Sequence, residues 1–142
     1  MTTFCSDADI ESHTRRFMDL TLPKAQWTHT GHLAAAVWLV SRPDIDASRE
    51  MPDMIRRYNE ATGGANTDTA GYHETITQAS LRAVRAWLAD RRGQPLHETL
   101  DQLLQSPYGR PDWLLSYWSA PLLFSAAARR AWVEPDRQIL PF

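Results

Sequence analysis

Apolar residues recur along this chain mostly at helical spacing, and no run of alternating β-branched residues marks a strand. The spacing predicts a first helix from about Asp7 to Asp19. Ser6 is its N-cap, and Ile10, His13, Phe17 and Met18 form its inner face. A second helix is predicted over His29 to Ser41, with Thr28 as N-cap and Trp27 stapled onto its first turn. From Leu33 to Val40 that helix is apolar on all sides, the signature of a central, buried helix. A third, from about Ser48 to Glu60, places Met51, Met54, Ile55 and Tyr58 on one face, and Pro52 is tolerated in its first turn. The small, polar stretch from Ala61 to Gly71 reads as a long loop, a type often functional in compact domains. A fourth helix from about Tyr72 to Arg91 gathers Ile76, Ser80, Ala83, Val84 and Trp87 on one side, with Arg82 and Arg85 opposite. A short fifth helix (His97 to Leu104), a sixth opening at Pro111 and carrying Trp113, Leu114, Leu115, Tyr117 and Trp118, and a seventh (Leu122 to Ala131) follow. The tail from Trp132 to Phe142 is expected to be extended and held to the body by Trp132, Ile139, Leu140 and Phe142. The expectation is an all-α fold: one compact helical bundle of six or seven helices over residues 1–142.

Composition narrows the function classes. At 142 residues, 43% hydrophobic and 23% charged, the chain resembles an ordinary globular domain. A net charge of −2 supplies no basic surface for a phosphate backbone, so nucleic acid is not an expected partner. The longest apolar run, Leu33 to Val40, falls far short of the roughly 20 residues a bilayer span requires. The first residues lack the basic and apolar regions of a signal peptide, and the single cysteine, Cys5, cannot form an internal disulfide. These features lead to an expectation of a cytoplasmic protein without membrane contact, for which a homodimer is compatible. Six tryptophans are many for this length and are expected to serve mainly as core.

Candidate chemistry collects at two helix mouths, Trp27-Thr-His-Thr-Gly-His-Leu33 and Gly71-Tyr-His-Glu-Thr-Ile-Thr77. His29 and His32 stand at i and i+3 on one face, close enough to share a metal ion. His73 falls on the inner face of the fourth helix, and Glu74 lies roughly 100° further round. If the two mouths meet, His29, His32 and His73 form a three-imidazole set with one open position, and Glu74 is a fourth ligand or general base. Two histidines with Glu74 would instead resemble a non-haem iron triad. The cofactor implied is a divalent transition metal (zinc, iron or manganese). Glu74, His73 and Tyr72 are the catalytic candidates; Asn66, Thr67, Thr69, Trp27 and Arg129 are candidates for contacting a small-molecule substrate. Each has a structural reading as well. Single buried histidines are commonly hydrogen-bonded core residues, Glu74 suits a helix N-terminus, and Asn66, Thr67 and Thr69 suit turns. His13 and His97 stand outside the pattern, and no G-x-S-x-G, P-loop, G-x-G-x-x-G or H-E-x-x-H occurs.

The blocks W-T-H-x-x-H-L, N-T-x-T-x-G-Y-H-E-T-I-T, Y-W-S-x-x-L-L-F-S-x-x-A-R and W-V-E-P-D-x-x-x-L-P together resemble a widespread family of small bacterial helical proteins of unassigned function. The resemblance spans about Trp27 to Pro141 and implies a single helical domain in the cytosol, with no activity to carry over. It adds Ser119, Ser125, Arg129, Glu134 and Asp136 to the pattern, with Asp136 placed to lock the tail over helix ends and Arg129 to pair with Asp136 or a ligand carboxylate. Three functions fit the sequence. The first is a metal-dependent enzyme acting on a small polar molecule. The second is a metal-free acid–base isomerase, lyase or cyclase using His29 or His73 with Glu74. The third is a non-catalytic ligand-binding or protein-interaction module, with Trp113, Tyr117 and Trp118 as the partner surface.

Overall fold

The computed structural model describes residues 4–142 and, among them, contains seven α-helices and no strand. The helices are α1 (Asp7–Met18), α2 (His29–Ser41), α3 (Ala47–Ala61), α4 (Glu74–Ala89), α5 (Leu96–Gln105), α6 (Ala120–Leu123) and α7 (Ala126–Arg130). None is long and apolar enough to cross a membrane.

Local chemistry sets the helix starts. The Ser6 hydroxyl accepts from the Asp9 N–H at 3.2 Å and the Thr28 hydroxyl from the Gly31 N–H at 3.1 Å, each satisfying an otherwise free first-turn donor. Apolar on every side, α2 becomes the hub: α1, α3, α4 and α5 all pack on it. Its eight buried residues, from Gly31 to Leu39, form the centre of the main core with Ile10, Phe17, Ile55, Tyr58, Leu81 and Leu103. Close packing at the start of α2 depends on Gly31. A Cβ there would collide with the Gln26 carbonyl oxygen and press on the His13 ring, whose Nε2–H donates to the Gly31 carbonyl at 3.0 Å.

A second, smaller core gathers Ala79 and Ala83 of α4 with Trp113, Leu114, Trp118 and Leu123. Two expectations change here. The predicted sixth helix is only a 3₁₀ turn over Trp113–Ser116, and the predicted seventh breaks at Phe124 into α6 and α7, each capped by its own serine, Ser119 and Ser125. Trp113 and Trp118 are buried in this core, so they do not form the exposed partner surface that their clustering suggested. The tail carries no regular structure. Trp132, Leu140 and Phe142 pack against the second core, while Ile139 is 92% exposed and holds nothing. Asp136 does tie the tail down: its carboxylate accepts from the Ser119 N–H at 2.7 Å and the Ser119 hydroxyl at 2.6 Å.

Candidate functional site

The N-terminal halves of α2 and α4 face each other across a cavity of about 100 Å³. Its wall is formed by His29, His32, Leu33 and Ala36 of α2, Met51 and Ile55 of α3, Ile76, Thr77, Ser80 and Leu81 of α4, and Pro111 and Leu114. The helix mouths therefore meet, as the metal reading required. The ligand set does not: among the described residues, no three His, Cys, Asp or Glu side chains come together as a metal site.

His73 explains why. It is the N-cap of α4: Nδ1 accepts from the Ile76 N–H at 3.1 Å, and Nε2–H donates to the Leu123 carbonyl at 2.6 Å. Those two bonds occupy both ring nitrogens and fix the neutral tautomer. Burial, reinforced by the nearby Arg129 guanidinium, holds its pKa below the ordinary histidine value. The ring faces inward, as its helical position implied, but it joins α4 to the end of α6 and is absent from the cavity wall.

His29 and His32 do share the wall. The carbonyl of Tyr108 can only accept, so its 3.0 Å contact with His29 Nε2 places a proton on that nitrogen. His32 differs from every other histidine in the chain: its ring nitrogens have no hydrogen-bond partner among the described residues. Trp27 lies against it with ring centroids 4.0 Å apart, and Trp27 is in turn stacked on Phe17 at 4.1 Å. The His32 ring is packed round by protein and retains accessible surface where it borders the cavity. Desolvation, with smaller contributions from His29 and His13, pushes its pKa down to about 4, so the ring is neutral at pH 7.

Tyr72 and Glu74 form a separate pair. The Tyr72 phenol donates to Glu74 Oε1, Gln78 Nε2 donates to the same oxygen at 3.4 Å, and the Arg56 guanidinium lies 4.2 Å from the Tyr72 ring centre. Burial and the adjacent carboxylate push the Tyr72 phenol far above its ordinary pKa. Neither Tyr72 nor Glu74 lines the cavity, whose wall includes Thr77.

The remaining substrate candidates build the Gly-rich loop. The Asn66 side-chain oxygen accepts from Asn59 Nδ2 and the Tyr72 N–H, both at 3.0 Å, while the Thr67 hydroxyl accepts from the Thr69 and Ala70 N–H groups. Gly71 closes the loop at φ +84°, where a side chain would collide with the Ala65 carbonyl. Arg129 does not pair with Asp136: Nη1 donates to the Gly71 carbonyl at 2.9 Å, clamping the loop to α7. No family model, curated protein or solved structure matches this chain.

The bonding state of His32 lay beyond sequence reasoning. Its only visible signal was its helical position beside Gly31 and Ala34 to Ala36, small residues that leave room next to the ring. Ser80, on the wall with no side-chain partner among the described residues, had appeared in the sequence only as part of an inner face.

Proposed function

We propose that the protein takes a small molecule into this cavity and holds its polar end against His32, which acts as proton acceptor in a metal-free acid–base reaction. The observation that carries this reading is the partnerless imidazole. The ring keeps accessible surface on the cavity side, so its unused nitrogens are open to a polar group of a molecule bound there. A neutral ring at pH 7 has its lone pair free to receive a proton. His29, whose Nε2–H is held by the Tyr108 carbonyl, lies on the same wall.

The metal-dependent reading through His29, His32, His73 and Glu74 competes with it. That reading requires a ring nitrogen of His73 to give up its present bond, for example Nδ1 its bond from the Ile76 N–H, and to come to the cavity wall, where His73 does not lie. The test is a fragment screen read by methyl NMR on the untagged protein, beside its elemental analysis. The expected result is shifts at Leu33, Ile55, Leu81 and Leu114 that weaken at least tenfold in His32→Leu for fragments with a polar group. Fragments that leave those methyls unmoved would overturn the proposal. So would one equivalent of transition metal that is lost in both His32→Leu and His73→Asn.

A further inference from the structure

We infer that the cavity selects uncharged molecules of about benzene size that carry a hydroxyl or N–H donor, and rejects organic ions of the same shape. This inference rests on the cavity being the ligand site. Three features of the wall support it.

The first is size. A volume of about 100 Å³ is on the scale of a protein cavity that accepts a single aromatic ring, and well below the roughly 300 Å³ at which drug-sized pockets begin.

The second is charge. The wall contains no Asp, Glu, Lys or Arg. A carboxylate or ammonium entering it would give up water without meeting a counter-charge, and a buried, uncompensated ion is costly. Glu74 and Arg56 are both engaged with Tyr72 and none of the three lines the wall.

The third is the balance of donors and acceptors. His29 donates its Nε2–H to the Tyr108 carbonyl, so that donor is not available to a ligand. The His32 imidazole has one lone pair and one N–H, both unused, and the Ser80 hydroxyl has no partner among the described residues. The acceptor surplus favours a ligand that donates. Leu33, Ile55, Leu81 and Leu114 supply the apolar surface for the rest of the molecule.

Four single-ring probes separate these terms: phenol, toluene and N-methylpyridinium, which share one shape, and benzoate as the anion, each titrated at pH 7 against wild type and His32→Leu. Cavity methyl shifts and the fluorescence of Trp27, which lies against His32, report occupancy. Phenol is expected to bind at least tenfold more tightly than toluene, and both ions at least a hundredfold more weakly than phenol. In His32→Leu the phenol preference should disappear while toluene binding persists. If either ion bound within tenfold of phenol, charge exclusion would be wrong and the cavity would still stand as a site. If toluene matched phenol in wild type, donor selection would be wrong, again leaving the site intact. If none of the four moved the cavity methyls, both this inference and the ligand-site reading beneath it would fall.

Discussion

Replacing His73 distinguishes a helix cap from a metal ligand. His73→Ala removes two bonds at once. Losing the cap on the Ile76 N–H is worth about 1 kcal/mol, the usual magnitude for an N-cap side chain. Losing the donor to the Leu123 carbonyl leaves a buried acceptor unpaired, at a further cost of about 1–3 kcal/mol. The expected destabilisation is about 2–4 kcal/mol, a fall in Tm on the order of 10 °C for a chain of this length. His73→Asn separates the two contributions. Asn is among the best N-caps, but its side chain is too short to reach α6, so this variant should recover about 1 kcal/mol of the loss. Urea denaturation followed by circular dichroism measures both variants, and their m-values should match wild type because the same surface is exposed on unfolding. A His73→Ala protein within about 0.5 kcal/mol of wild type would refute the capping account. Equal losses in the two variants would refute its division between cap and carbonyl.

Other consequences follow from the same geometry. His32, His13 and His73 all have folded-state pKa values depressed below the unfolded value, so their stabilisation is complete above about pH 6.5 and is lost as pH falls. For His32 the window runs from about 6.5 down to about 4, and the loss reaches at most about 3 kcal/mol because its ring borders the cavity. Urea melts at several pH values should show that slope reduced in His32→Leu; an identical slope would contradict the burial of this ring. Gly31→Ala forces a Cβ against the Gln26 carbonyl and the His13 ring, and should cost about 1–3 kcal/mol in thermal melts. Arg129→Met frees the Gly71 carbonyl, so amide exchange in the 62–72 loop should accelerate while that in α2 stays slow. Equal acceleration in both would mean that Arg129 supports the whole fold.

The long helices were legible because their periodicity is strong. The boundaries expected for α2 match those observed, and those of α3 and α5 differ by about a residue. The region after Pro111 was not legible, because its aromatic and leucine density reads equally as helix or as irregular core. Capping decided the outcome: Ser119 and Ser125 each begin a separate short helix. Whether the two helix mouths meet was not legible, because one sequence does not fix how α2 and α4 pack; they share the cavity wall. The fate of each imidazole was not readable, because helical position gives the side on which a ring lies and not the backbone group it meets. His73 is satisfied by a carbonyl 50 residues away and His29 by one 79 residues away, whereas His32 on a neighbouring turn meets none. Asn66 and Thr67 look equally suited to a turn or to a ligand in sequence, and their hydrogen bonds resolve them as loop structure.

The central claim is that His32 presents a neutral imidazole with no protein partner to the cavity. Nitrogen-15 NMR of the five histidine rings, recorded from pH 8 to pH 4 on metal-analysed protein, tests it most directly. The account predicts that the His32 ring stays neutral to about pH 4. Its shifts should move when phenol is added, while those of His73 keep one fixed tautomer and do not respond. A His32 ring that titrates near 6.5, or whose nitrogens carry the shift of a coordinated metal, would contradict the account.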